Sequence, residues 1–258
     1  MNKRITVPVL LLLLACLSGF AEASEKSSAK LAARALMPKI EILSLPKRSY
    51  TFAALNYPRN TEWTGLFLNS NASWLQKVNV RSSATKVDSC YEGKVPAQIL
   101  TISSRSLPVC LLRGLPSGKR GFVSRYYPRG RKNPSPTGPR SGFTIKIKGA
   151  GKSTYLFKAV EKDNFVSYVL SRGKKEQLLK KLEIDPVVGG DGMPRRDQLI
   201  LWAGDLDADG KADFLTAFNT RAGEGISMQL YLSTRAKSHE IVGLAAEFDY
   251  WPPDNPGC

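Results

Sequence analysis

Four carboxylates crowd into the nine residues Asp205-Leu206-Asp207-Ala208-Asp209-Gly210-Lys211-Ala212-Asp213, with apolar runs at 199–202 and 214–215 on either side. Like charges this close repel unless a cation sits among them, and Lys211 supplies one positive charge against four negative ones. The spacing therefore predicts a tight loop around a hard metal ion, entered and left by strands. Ca²⁺ takes six to eight oxygens at about 2.3–2.6 Å, and carboxylates on alternate residues of a coiled loop can present them. Asp205, Asp207 and Asp209 have that spacing, and Gly210 permits the sharp turn. Lys211 would coordinate through its backbone carbonyl, and Asp213 would close the shell with both oxygens. Thr216 stands where an EF-hand needs its bidentate Glu, so this is a different loop. The number of ligands and the flexible loop favour Ca²⁺ over Mg²⁺.

The flanking chain is read as mainly β: antiparallel sheets or a sandwich of hairpins, with one strand–calcium loop–strand unit near the C-terminus. Short β-forming runs bounded by Asn, Ser, Pro or Gly fall at 40–43, 50–52, 63–68, 74–80, 99–102 and 108–112. Asn71-Ala72-Ser73 matches a glycosylation sequon and is read as a turn. The clearest hairpin pairs Phe143, Ile145 and Ile147, alternating with Thr144, Lys146 and Lys148, with a return strand at 154–160. A second hairpin is expected at 165–170 and 177–182, although Leu178-Leu179 could also form one helical turn. Further strands are expected at 226–232 and 241–250. Gly149-Ala150-Gly151-Lys152-Ser153-Thr154 imitates the end of a phosphate-binding loop. Lys146 occupies the place of that motif's first Gly, and a β-run follows instead of a helix, so nucleotide binding is not expected.

The N-terminus reads as an export signal. Lys3 and Arg4 precede an apolar run at 5–17, and Ala21-Glu22-Ala23 offers the small-x-small cleavage pattern. The run is shorter than the ~20 residues a spanning helix needs, and no transmembrane segment is expected elsewhere. The expected organisation is a signal peptide at 1–23, a flexible lead-in at 24–39 and an N-terminal β region at 40–127. A basic Pro/Gly-rich linker or loop at 128–142 and a C-terminal β region at 143–258 follow. The expected location is periplasmic or secreted. Leu13-Leu14-Ala15-Cys16 resembles a lipobox, so a lipid anchor on Cys16 is the alternative. An oxidising compartment makes Cys90 and Cys110 a disulfide candidate. Cys258 is odd in number: it is unpaired, pairs between chains, or competes for one of those two.

Charge is unevenly spread along a chain of net +16. Residues 93–160 hold fourteen Lys/Arg and no Asp or Glu, whereas residues 161–258 hold twelve basic and sixteen acidic residues. A positive middle segment favours anionic partners: lipid, an acidic glycan or an acidic protein, with no nucleic acid expected outside the cytoplasm. His239 is the sole histidine, so an exported hydrolase has little to draw on.

The residues Gly204-Asp205-Leu206-Asp207-Ala208-Asp209-Gly210-Lys211-Ala212-Asp213-Phe214-Leu215 resemble the calcium hairpin of FG-GAP-type repeats. With Leu201-Trp202-Ala203-Gly204, Tyr231-Leu232-Ser233 and Gly257-Cys258 they more closely resemble a group of uncharacterised exported bacterial proteins. Those carry a single FG-GAP-like calcium-binding hairpin near the C-terminus. The resemblance covers roughly residues 198–258 and implies calcium binding and export, with no established activity. A propeller needs several such repeats, and the chain has one.

Overall fold

The structure, a computed structural model, describes residues 39–44, 49–53, 57–69, 71–89, 93–115, 121–127, 143–151, 153–163, 165–183, 200–219 and 226–250. The expected signal peptide, the lead-in up to Pro38, Cys16, Cys90, the linker at 128–142 and Cys258 lie outside the described residues. Everything described belongs to one compact unit, Lys39–Cys258.

The fold is mainly antiparallel β. Its strands are β1 Glu41–Leu43, β2 Ser49–Ala53, β3 Asn60–Leu68, β4 Ser73–Ser89, β5 Gly93–Ile102, β6 Cys110–Arg113, β7 Gly121–Tyr127 and β8 Phe143–Lys148. They continue with β9 Thr154–Lys162, β10 Phe165–Arg172, β11 Lys175–Glu183, β12 Ile200–Asp205, β13 Asp213–Asn219, β14 Ile226–Leu232 and β15 Gly243–Tyr250. Among the described residues the one helical element is a 3₁₀ turn, Ser233–Arg235, after β14.

Eleven strands form one sheet along the path β1-β6-β3-β4-β7-β12-β13-β14-β15, with β2 and β5 branching from β4. The sheet curls until its end strands, β1 and β15, lie beside each other. Closure of this kind protects strand edges that would otherwise invite pairing with other chains. β4 makes the branching possible. It is 17 residues long. Along one edge it pairs with β3; along the other, its first residues pair with β7 and its second half with β5. The β3–β4 turn holds the Asn71-Ala72-Ser73 tripeptide, and Asn69 Oδ1 accepts the N–H groups of Asn71 and Ala72 at 2.8 and 2.7 Å.

The remaining strands make a four-stranded meander, β11-β10-β9-β8. Both expected hairpins are present in it, with the turns at 149–151 and 173–174. The Leu178-Leu179 pair is strand. A register shift in the β10–β11 pairing leaves Leu179 bulged out, and an extra residue in one strand breaks the alternation that sequence patterns rely on.

Two hydrophobic cores result. The first fills the curled sheet, with Trp63, Leu66, Leu100, Leu111, Trp202 and Leu230 among its fully buried members. The second lies between the meander and the outer face of β12–β14, where Phe157, Tyr168 and Leu170 meet Phe214, Phe218 and Tyr231. β13 is thus covered on both faces, and every residue from Asp213 to Phe218 is buried. Parallel sheets are usually buried this way, and here an antiparallel strand is. The two glutamines packed here are paired. Gln229 donates to Glu247 and accepts from the Tyr231 hydroxyl at 2.6 Å. Gln177 of β11 clamps the 241–242 backbone, accepting from Ile241 and Val242 N–H at 2.7 and 3.0 Å.

The pairing of β7 with β12 carries the large sheet across the proline- and glycine-rich stretch at 128–142. Gly204 sits at that seam, beside a register irregularity. A Cβ on it would lie 2.0 Å from Ser124 O and 2.2 Å from the Trp202 ring. Gly204→Ala is therefore expected to destabilise the protein by about 1–3 kcal/mol. The control Leu178→Ala, at a side chain 55% exposed, should stay within about 0.5 kcal/mol of wild type. Urea unfolding of the three proteins checks this; equal stability of Gly204→Ala and wild type would refute the packing argument.

Candidate metal centre

The Asp-rich segment is the connection from β12 to β13. Trp202 and Leu215 face the first core, while Ala203 and Phe214 face the second. Both strand ends are therefore fixed, and the loop between them has little freedom. Leu206 and Ala212 are buried, at 1% exposure each, and anchor the loop from inside. Two residues take left-handed backbone, Ala208 (φ 58°) and Gly210 (φ 79°). Gly210 does so at no steric cost, and Ala208 does so against its preference.

This coiling brings Asp205, Asp207 and Asp209 together, with one carboxylate oxygen from each within 4.8 Å of the others. Oxygens that share a Ca²⁺ ion at about 2.3–2.6 Å can be no further apart than about 5 Å, so the triad fits one ion. The loop's own N–H groups hold the carboxylates. Gly210 N–H donates to Asp205 Oδ2 at 3.1 Å, and Lys211 N–H donates to Asp209 Oδ1 at 2.8 Å. Asp205 Oδ1 is buried and accepts no hydrogen bond. A buried carboxylate oxygen without a donor is costly, and a cation at the triad would supply what it lacks.

Asp213 has a different position. It is fully buried, its Oδ2 accepting from Leu206 N–H at 2.7 Å and its Oδ1 from Ser233 N–H at 2.8 Å. It lies beneath the triad, bracing the loop's entry to the turn after β14, and is not among the three clustered carboxylates. The Lys211 ammonium reaches Asp209 Oδ2 at 3.1 Å, and its backbone carbonyl is the atom expected to face an ion.

Two contributors were not singled out as site residues from the sequence. Ser233 Oγ lies 2.5 Å from Asp209 Oδ2, and Thr234 Oγ1 lies 2.6 Å from Asp207 Oδ2. Both come from the 3₁₀ turn, 24 and 27 residues beyond their partners. Only the pairing of β13 with β14 brings that turn to the loop. Hydroxyls that orient ligand carboxylates in this way commonly support metal sites. Two tyrosines also border the loop. The Tyr155 hydroxyl accepts from Ala212 N–H at 3.4 Å. Burial and the charges of Asp205 and its neighbours push the Tyr126 hydroxyl above its usual pKa.

The electrostatics differ within the loop. Burial alone would raise Asp209, but hydrogen bonds from Ser233 and Lys211 outweigh it and hold the carboxyl below its usual value. Asp213 is pushed up to about 8, first by burial and then by the negative charge of Asp207, despite its two N–H donors.

Other predicted site residues fall elsewhere. Cys110 is a buried free thiol on β6, raised in pKa by its burial, and its candidate partner Cys90 lies outside the described residues. His239 is at an exposed turn, its Nε2 4.0 Å from Glu240. Of the basic middle segment, Arg113 pairs with Glu41 and Lys158 pairs with Glu176, while Lys146 and Lys148 are exposed on β8. Lys119, Arg120, Arg129, Arg131, Lys132, Arg140 and Lys152 lie outside the described residues. Among the described residues no helix is long and apolar enough to cross a membrane. Compared with known proteins, the chain matches no family model, no curated protein and no solved structure.

The Asp213 shift gives the metal-free protein a pH dependence of known sign. In the unfolded chain its carboxyl ionises near 3.8, whereas in the fold it keeps its proton to about 8. Between those values the folded state binds more protons, so stability falls as pH rises. Metal-depleted protein should lose stability between pH 5 and pH 8 (an interval of about three units within that window), and Asp213→Asn should lose less. Urea unfolding at both pH values tests this. A wild-type slope no steeper than that of the variant would refute it.

Proposed function

We propose that this is an exported, calcium-binding β-protein of the cell envelope, and that its Asp205–Asp207–Asp209 triad holds a structural Ca²⁺. Lys211 would add its backbone carbonyl, and Asp213 would hold the loop to the turn after β14. The single observation that carries the reading is the clustering of Asp205, Asp207 and Asp209, one carboxylate oxygen of each within 4.8 Å of the others, on a loop where Asp205 also keeps a buried oxygen, Oδ1, without a donor. Water-filled acidic turns have no need of such an atom. Export is supported by the signal-like N-terminus, and it suits the ion, because extracellular modules bind Ca²⁺ at about 10⁻⁴–10⁻³ M.

The ion's role follows from where the loop sits. It closes the corner between two strands of the wall shared by both cores, so its binding energy adds to folding energy. It would also neutralise the charge that the triad imposes on Asp213. The role proposed is structural and the reading non-enzymatic: the loop's own N–H groups and the Ser233 and Thr234 hydroxyls hold the carboxylates in place, and His239 stands on a separate turn.

At a calcium concentration a hundred times Kd, stabilisation should reach about 2.7 kcal/mol, or roughly 2–4 °C in melting temperature per kcal/mol for a domain of this size. Thermal melts in Ca²⁺ and in excess chelator test it, with Asp205→Ala and Asp207→Ala as variants that should lose the calcium response. Tb³⁺, a luminescent substitute for Ca²⁺, should be sensitised by Tyr126 and Tyr155 in wild type and dark in Asp205→Ala. Melts that are identical in chelator and in millimolar Ca²⁺ would end the proposal.

A further inference from the structure

A second feature lies on another part of the large sheet. The connection from β5 to β6, residues 103–109, is tied to the β3–β4 pair by two backbone bonds. Ser103 N–H donates to Asn79 O at 3.1 Å, and Val109 N–H donates to Leu66 O at 2.7 Å. Between them the connection stands off from the strands and leaves an open cleft of about 340 Å³. That volume is within the range of small-molecule sites.

The lining divides by chemistry. One wall is aromatic: Phe67 and Trp74 are directly opposite on β3 and β4, and their rings stack at 5.6 Å with an interplanar angle of 14°. Phe67 is buried and Trp74 is partly exposed, so the indole is the ring a ligand can reach. The other wall is the connection itself, Ser103-Ser104-Arg105-Ser106, with three hydroxyls and a guanidinium, and with Ser103, Arg105 and Ser106 exposed. Lys77 completes the lining. Its ammonium pairs with Glu62, the carboxylate that faces it, and the two side chains are 43% and 55% exposed. An ion pair that exposed contributes little, so a stronger anion can take the lysine from it.

We propose that this cleft binds an anionic saccharide. A sugar ring presents an apolar C–H face that fits the flat, partly exposed Trp74. Its hydroxyls match the three serines and Gln76, and a carboxylate or sulfate on the ring matches Arg105 and Lys77. A guanidinium recognises planar or tetrahedral oxyanions through paired donors. Neither a bare anion nor a neutral sugar uses the whole lining: the first leaves the indole idle, the second the two cations. The inference is independent of the calcium proposal, since no residue is shared.

The test is calorimetric titration of the full-length mature protein in Ca²⁺ at low salt. The probes are a heparin disaccharide (sulfate and carboxylate), a hyaluronan tetrasaccharide (carboxylate only), cellobiose (uncharged) and inorganic sulfate. At least one of the two anionic saccharides should bind, more weakly as salt rises, and cellobiose and sulfate should bind at least about tenfold more weakly. Arg105→Gln, on the exposed connection, should weaken saccharide binding about tenfold or more, the loss of one charged hydrogen-bonding partner, with the circular dichroism of the folded protein retained. Trp74→Ala should also weaken binding, with some loss of stability because the indole packs on Phe67 and the first core, and Trp74→Phe should recover part of both losses. No binding by either anionic saccharide, equal binding of cellobiose or of sulfate, or binding that survives both Arg105→Gln and Trp74→Ala would each overturn the proposal. Because the melts report the calcium site separately, failure here leaves that reading untouched.

Discussion

The wall of β12, β13 and β14 is buried on both faces, and the rest of the structure is arranged around that fact. Each of its strands must satisfy two hydrophobic cores at once. Trp202, Leu215 and Leu230 serve the curled sheet, and Ala203, Phe214 and Tyr231 serve the meander. A double-faced strand cannot end in open solvent at both sides of its connections. The β12–β13 connection therefore begins in the interior, with Leu206, Ala212 and Asp213 all buried. A carboxylate in such a place is tolerable only with donors, and Asp213 takes two backbone N–H groups, one from the loop and one from the turn after β14. The acidic loop is thereby coupled to three strands of the wall rather than to the two that flank it.

This coupling explains why the acidic triad is built as it is. Three carboxylates on one small loop repel, and the fold spends hydrogen bonds to keep them facing inward: Ser233 on Asp209, Thr234 on Asp207 and Gly210 on Asp205. Asp205 Oδ1 remains buried without a donor, and Ala208 holds a left-handed backbone. A donor-less buried oxygen and a left-handed alanine thus fall on the same loop, and departures of this kind are frequent at functional sites. A hard cation at the triad would relieve the repulsion, the missing donor and the raised Asp213 carboxyl together. No rearrangement of neutral side chains would relieve all three.

Much of the fold was legible because it depends on neighbours in sequence. Period-two alternation at Phe143, Ile145 and Ile147 marked β8, and the turn residues at 149–151 and 172–173 marked both meander hairpins. The strand–loop–strand unit was legible from the Asp spacing alone. What sequence did not reveal was long-range or irregular. β4 serves two partners along one edge, and its second half, Arg81 to Asp88, is largely polar with no buried residue and carries no hydrophobic alternation to read. The bulge at Leu179 puts adjacent leucines where a regular strand would separate them. Ser233 and Thr234 reach the acidic loop only through the β13–β14 register, and hydroxyl residues are too common for their spacing to announce it. The stretch at 128–142 has the composition of a domain linker, yet the strand before it and a strand after it belong to one sheet, because β7 finds its partner in β12.

That β7–β12 seam also joins the two sites. Along β7, residue 122 is the register partner of Trp74 and residue 124 is the partner of Asp205. One strand thus borders the aromatic wall of the cleft and the first carboxylate of the acidic loop, two residues apart. Its attachment to β12 passes through Gly204, where the backbones approach too closely for any side chain, so the seam cannot slide without breaking packing against Trp202. A cation at the triad would therefore stiffen the end of β12, because Asp205 is both the last residue of β12 and one of the three clustered carboxylates. The consequence is directional. Loss of an ion from the triad would loosen the seam first, because Asp205 belongs to both the seam and the triad, while the lining of the cleft, Trp74 and the 103–109 connection, shares no residue with it.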